Sequence, residues 1–231
     1  MTTTASRLLK SKPAEPIHLA NGFIGIRSFR PDDAPLLFNA ARESAGELRR
    51  FMAWYHPDYS LKDSRAFIAQ CSADREKGEQ YNFAIIDARN KTLLGSIGLN
   101  RIDRTNLVAN VGYWVRRTRT RRGVATAATR LIAEFGLNVL GLQRLEILVP
   151  RHNLASQRVA EKAGARFEGV LRKRLVLAQK IHDARLYSLI PGDLTPPTRR
   201  HTFVKLGSKT PSAAARRKMK PGRGHGCRPG C

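Results

Sequence analysis

The residues best suited to chemistry lie in one run, GYWVRRTRTRRGVATAATRLIAEFGL, from Gly112 to Leu137. It reads as a strand, an arginine-rich loop and a long helix. Backbone N–H groups at a helix N-terminus have no intrahelical partner, and the helix dipole adds positive potential there, so such a junction is an anion site. Gly123 lets a ligand approach the backbone closely, and Arg121 and Arg122 add charge-assisted donors suited to phosphate. The same residues also fit a plain tight turn at Gly123 with its arginines in water. On the loop alone the two readings stand level.

The elements that must hold this loop alternate between strand and helix periodicity over residues 16–194. FIGIRSF reads as a strand, and Pro31, Asp32 and Asp33 open a helix, with the acidic residues where its N-terminal dipole favours them. A short helix is expected from Glu47 to Tyr55, and Ser60 with Asp63 forms a capping-box signature for a third. YNFAIID, TLLGSIGL and LVANVGYWV read as an antiparallel meander. LEILV is a strand, Asn153 caps a helix that stops at Gly164, and ARFEGVLRKRLVL with DARLYSLI completes the pattern. The expected fold class is α/β, a mixed, mostly antiparallel central sheet flanked by helices.

Together these motifs resemble the GNAT family of N-acetyltransferases, and within it the ribosomal-protein N-terminal acetyltransferase branch. That family's loop runs Gln or Arg, two residues, Gly, one residue, then Gly or Ala; here the register reads Thr120, Arg121, Arg122, Gly123, Val124, Ala125. Gly112-Tyr113-Trp114 precedes it at the separation common in the branch. The later HNLASQRVAEKAGARFEGVLR is similar to the branch's pattern at Asn153, Ser156, Glu161, Lys162, Gly164, Glu168, Gly169 and Arg172. The resemblance spans roughly residues 20–190, and several ordered motifs are more specific than one glycine loop. Four features depart from it, one being Ala165-Arg166-Phe167, a residue longer than the usual Gly-Phe. Thr120 replaces Gln or Arg, Arg121 replaces the branch's usual Gly, and Asn110 stands where many relatives carry Glu.

The resemblance implies an acyl-CoA N-acyltransferase fold, acetyl-CoA as co-substrate and no metal. The acceptor would be a primary amine, most readily a protein N-terminus of ribosomal-protein type. The backbone from Arg121 through Arg122, Gly123, Val124 and Ala125 to Thr126 would cradle the pyrophosphate. The edge of the GYWV strand, near Val115 and Arg117, would pair with the pantetheine amides by strand addition. By analogy Asn153 holds the pantetheine and Ser156 faces the departing sulfur, though an N-cap and an ordinary first-turn residue describe them equally. Tyr187 is a candidate proton donor and Glu43 a candidate base, with Glu47 beside it. Trp54, Tyr113 and Trp114 are candidates for the acceptor channel, although packing in a core accounts for strand aromatics as well.

Charge is the outlying property: 42 Lys+Arg against 18 Asp+Glu give a net charge of +24. That surplus points to polyanions without specifying a fold. Residues 195–231 hold ten basic residues and no Asp or Glu, which predicts a disordered basic tail able to contact RNA or the ribosome. A catalytically weakened module binding RNA through this surface is the alternative function. Residues 1–15 are expected to be a flexible leader, and 16–194 the acetyltransferase domain. No run approaches the roughly 18 apolar residues of a membrane span, so no membrane partner is expected. Cys71, Cys227 and Cys231 form no disulfide framework, and a cytoplasmic setting fits best. His225, Cys227 and Cys231 fall short of a closed zinc site.

Overall fold

Alternating apolar runs joined by short turns build one sheet in the computed structural model, which describes residues 17–194. The leader and the basic tail lie outside the described residues. In chain order, β1 (His18–Ala20) and β2 (Ile24–Ser28) are followed by α1 (Ala34–Glu43), α2 (Ala45–Phe51) and α3 (Leu61–Lys77). The meander β3 (Tyr81–Asp87), β4 (Leu93–Asp103) and β5 (Val108–Val115) leads into α4 (Val124–Glu134). Then come β6 (Arg144–Pro150), α5 (Leu154–Ala163), β7 (Arg166–Leu177) and β8 (Lys180–Leu189). The sheet order is β1-β2-β3-β4-β5-β6-β8-β7.

Local signals in the sequence set several of these boundaries. Asp63 accepts from Ser60 N at 2.8 Å and closes the capping box of α3, which ends at Gly78 in the left-handed region. Asn153 Oδ1 accepts from Ser156 N at 3.1 Å to start α5, and Gly164, at φ 101°, ends it. The second helix differs from expectation. It begins at Ala45 and stops at Phe51 because Met52 turns extended (φ −119°, ψ 116°), so Trp54 and Tyr55 lie in the loop beyond it. The long helix is regular only to Glu134, and Phe135–Val139 is wound as a π-helix.

The sheet has two covered faces. Ile26, Phe83, Ile97, Leu99, Val111 and Ile147 belong to the core shared with Leu131 and Ile132 of α4 and Ala160 of α5. On the other face Ala84, Ile86 and Trp114 pack with Leu37 of α1 and Ile68 and Cys71 of α3.

One junction breaks the ladder. Every neighbouring pair is antiparallel except β5 and β6, which run parallel and pair at only Val108–Arg144, Ala109–Leu145 and Asn110–Glu146. Beyond Asn110 and Glu146 the two strands continue without pairing, to Val115 and Pro150. A gap therefore opens in the middle of the sheet.

Candidate active site

The gap leads into a cleft of about 630 Å³ lined by both of its strands and by residues from the α1–α3 side. Arg116 N donates to Leu94 O at 2.7 Å, so the main-chain groups of Arg116, Trp114 and Gly112 turn toward β4. By the alternation of an extended strand, those of Val111, Tyr113 and Val115 turn toward the gap. Val115 thus lies on the edge of β5 that β6 does not pair. Arg117 does not, because its N–H donates to Ser44 Oγ at 3.0 Å in a 3-10 turn beyond the strand.

The arginine loop follows directly. Gly123 is the N-cap of α4 at φ 76°, and its C=O accepts the first helical bond, from Ala127 N at 2.9 Å. The N–H groups of Val124, Ala125 and Thr126 precede that donor and have no partner within the helix. A Cβ at Gly123 would meet nothing within 4 Å, so the space over this helix end is open. Arg121 and Arg122 are exposed beside it. Arg121 adopts φ 60°, a left-handed conformation costing an L-residue roughly 1–2 kcal/mol. The glycine the resemblance places there would carry no such cost.

Glu43 holds this loop from behind. Its carboxylate accepts from Arg116 Nε at 2.5 Å, from Thr118 N at 3.0 Å and from Thr118 Oγ1 at 2.7 Å. Partial burial works to raise its pKa, but the Thr118 hydrogen bonds and the Arg116 guanidinium outweigh that and hold it below the usual carboxylate range. A carboxylate so engaged is a weak proton acceptor, and Glu43 is not on the cleft lining. Glu47 is 3.8 Å from Arg117 Nε.

Around the cleft, Asn153 and Ser156 both contribute to the lining. Asn153 Oδ1 caps α5, which leaves its Nδ2 as a donor for a ligand. Tyr113 reaches the cleft from the α5 side, where its Oη donates to Ser156 O at 3.3 Å and burial pushes its phenol up to about 12. Trp54 and Trp114 meet from the opposite side, their rings 6.2 Å apart, with Tyr59 5.6 Å from Trp54. Tyr187 is not brought into the cleft. It is fully buried on β8 and its Oη donates to Glu161 Oε1 at 3.1 Å.

Two features had no clear sequence signal: the Glu43 clamp, which spans 73 positions of chain, and a floor of side-chain amides. Asn82, Asn100 and Asn110, from three adjacent strands, line the same face as Trp114.

The open, arginine-flanked N-terminus of α4 thus lies beside a strand edge left unpaired where β5 and β6 part. A family profile described as Acetyltransferase (GNAT) domain matches residues 24–166. The chain belongs to the GNAT acetyltransferase family. Among the GNAT proteins it is similar to is the Bacillus subtilis protein YjcK, described as a probable N-acetyltransferase, at 32% identity over 136 residues, 58% of this chain and 75% of that one. The ribosomal-protein-serine acetyltransferase of Escherichia coli is 26% identical over 143 residues, 62% of this chain and 79% of that one. Among solved structures, the microcin C7 self-immunity acetyltransferase MccE, in complex with acetyl-CoA and AMP, superposes with a TM-score of 0.69 at 24% identity, covering 80% of this chain and 99% of that one. The GNAT fold therefore accounts for the open sheet and for the helices that flank it. Among the described residues no helix is long and apolar enough to cross a membrane.

Proposed function

We propose that this acetyltransferase uses acetyl-CoA to acetylate the α-amino group of a protein, of ribosomal-protein type. The observation that carries the reading is the adjacency of three parts: the open α4 N-terminus with its arginines, the free edge of β5, and the amide- and aromatic-lined cleft. Each suits one portion of the reactants. The N–H groups of Val124, Ala125 and Thr126, with Arg121 and Arg122, suit a pyrophosphate. The main chain of Tyr113 and Val115 suits the two amides of a pantetheine arm. Acetyl-CoA, when bound, supplies an activated acetyl group as a thioester.

The chain's own residues divide the remaining work. Asn153 Nδ2 donates to the arm from the N-terminus of α5. Ser156, one turn on, lies where a hydroxyl can donate to a departing sulfur. Glu43 positions the phosphate loop through Arg116 and Thr118 and takes no proton. Trp54 and Trp114 form the wall along which the acceptor enters. Support for a ribosomal-protein acceptor comes from the E. coli relative's name. Support for contact with RNA or the ribosome comes from the ten uncompensated basic residues in 195–231.

The test is thiol release from acetyl-CoA by the full chain against a panel of peptide N-termini and polyamines, with acetyl-CoA binding measured by calorimetry. Turnover on peptide N-termini is the expected result. Absence of acetyl-CoA binding, or turnover confined to polyamines, overturns the reading.

A further inference from the structure

The outer strand of the sheet carries a cluster of cations that the proposed reaction leaves unused. β7 is the last strand in the order, so its far edge pairs with no strand among the described residues. Leu171 pairs with Ala184 and Leu175 with His182, which leaves Arg172, Lys173 and Arg174 opposite Asp183 alone. The strand bulges there. Lys173 takes φ 52° and its N–H donates to Asp183 Oδ1 at 2.9 Å, so the carboxylate at the bulge shapes its backbone. The three basic residues are exposed, and with Leu171 they line a second hollow in the surface. None of them forms a salt bridge among the described residues. The other acidic side chain of the hairpin, Glu168, is held by Arg144 and Ser188.

This bulge is level with the mouth of the cleft. Pro150, where β6 ends beside the gap, pairs with Ala184, and Ala184 pairs in turn with Leu171, so the bulge begins in the row that closes β6. Two strand spacings separate β6 from β7, about 10 Å, which an extended chain crosses in about three residues. Leu148 and Pro150 of β6 and Leu175 and Leu177 of β7 line the cleft along that path. Resting on the acetyltransferase reading above, we propose that the bulge docks an acidic segment of the acceptor protein, a few residues downstream of the amine that receives the acetyl group. Opposite charge selects the segment, and the apolar path sets its distance from the amine. Neither terminal segment of the chain is such an occupant. Residues 1–15 hold a single acid, Glu15, against Arg7, Lys10 and Lys12, and residues 195–231 hold none. A second copy pairing along the same edge would set like charge against like, and the bulge breaks the regular row of N–H and C=O groups that a ladder needs. Nucleic acid would meet the cations without using the apolar path that joins them to the cleft.

The experiment measures kcat and KM by thiol release from acetyl-CoA, with the full chain and three peptides that share their first few residues and continue as a run of Glu, of Ser or of Arg. Each exposed ion pair changes affinity roughly twofold, so three together should set the KM of the Glu peptide about tenfold below that of the Ser peptide, with the Arg peptide highest and kcat alike. At about 0.5 M salt the three values should converge. Glu confined to the shared first residues should bring no gain. Arg172→Gln/Lys173→Gln/Arg174→Gln should abolish the difference between the peptides, and Arg172→Glu/Lys173→Glu/Arg174→Glu should invert their order, with acetyl-CoA affinity by calorimetry as the check on folding. Equal KM values for the Glu and Ser peptides in the wild type, or an order that survives both triple substitutions, overturns this inference alone. Loss of RNA binding in the Gln variant with the peptide order intact assigns the surface to nucleic acid and overturns it too. No thiol release with any of the peptides overturns the proposed function as well.

Discussion

Glu43 at the end of α1 and Arg116 just past the end of β5 form an ion pair at 2.5 Å, and through it α1 grips the loop that leads into α4. Thr118 donates to the same carboxylate through both its N–H and its hydroxyl. Beside it, Ser44 Oγ accepts from Arg117 N and donates to Ala40 O at 2.8 Å. One short corner of α1 therefore fixes three consecutive residues of the loop.

Glu43→Gln should weaken acetyl-CoA binding severalfold, by roughly the 1 kcal/mol of a charge-assisted hydrogen bond made neutral, while leaving the acceptor KM where it was. Calorimetry and steady-state kinetics separate the two effects. The pH dependence has a definite sign. Since Glu43 has a lowered folded-state pKa, its contribution is fully present above the ordinary value of 4.5 and is lost only as pH falls through the lower folded value. Acetyl-CoA affinity should therefore show no Glu43 titration between about pH 6 and about pH 8. A limb there that vanishes in Glu43→Gln would restore it as a base.

Arg121→Gly should raise the thermal stability of the free protein, because glycine takes φ 60° without the roughly 1–2 kcal/mol penalty of a side chain there, less the entropy glycine adds to the unfolded chain. Thermal melting in the absence of acetyl-CoA reads this directly. Arg121→Val, with a β-branched side chain, should melt lower than the wild type.

Gly123→Glu should fold but lose acetyl transfer. The added Cβ meets no atom within 4 Å, yet the side chain places a negative charge near the N–H groups at the start of α4 and forces φ 76° on a non-glycine residue. Circular dichroism should stay near that of the wild type while acetyl-CoA binding disappears. Removing residues 195–231 should do the reverse. It takes away ten positive charges, so RNA or ribosome affinity and its salt dependence should fall while turnover on a short peptide is spared.

In a Cys227→Ser/Cys231→Ser double variant, the remaining thiol should not react with a thiol reagent until the protein unfolds. Cys71 is buried in the α3 face of the core, and burial pushes its thiol up to about 12, leaving almost no thiolate at neutral pH. Reaction at the rate of a free thiol would contradict that packing.

Much of this site could be read from the chain because its cues are local. Ser60 and Asp63 cap a helix within four residues, Asn153 and Gly164 bracket another, and Gly123 marks a helix start by the conformation it alone adopts readily. At Arg121, where the resemblance places Gly, φ is positive. What stayed hidden depends on distance. The Glu43 clamp needs two elements far apart in sequence to meet, and nothing near Glu43 distinguishes it from other surface glutamates. Tyr187 fits a motif position, yet its hydroxyl is turned to α5 by the register of β8 against β6, in which Tyr187 faces Ile147. β1, three residues long, is too short to show a period, and the π-helical end of α4 keeps the apolar pattern of an ordinary helix.

The three-position contact between β5 and β6 also decides what holds the two jaws of the sheet together. A continuous ladder would fix their separation by backbone geometry, but here the main-chain contact is confined to Leu107, Val108, Ala109 and Asn110. Beyond them the spacing falls to the helices that bridge the two sides, α4 on the β2, β4 and β5 side and α5 on the β6 and β7 side, which pack on each other. Arg130 of α4 reaches Lys162 O of α5 at 2.6 Å across that contact. Arg130 is not on the cleft lining, yet its bond to α5 helps hold the two unpaired strand ends at their separation from the back of the molecule.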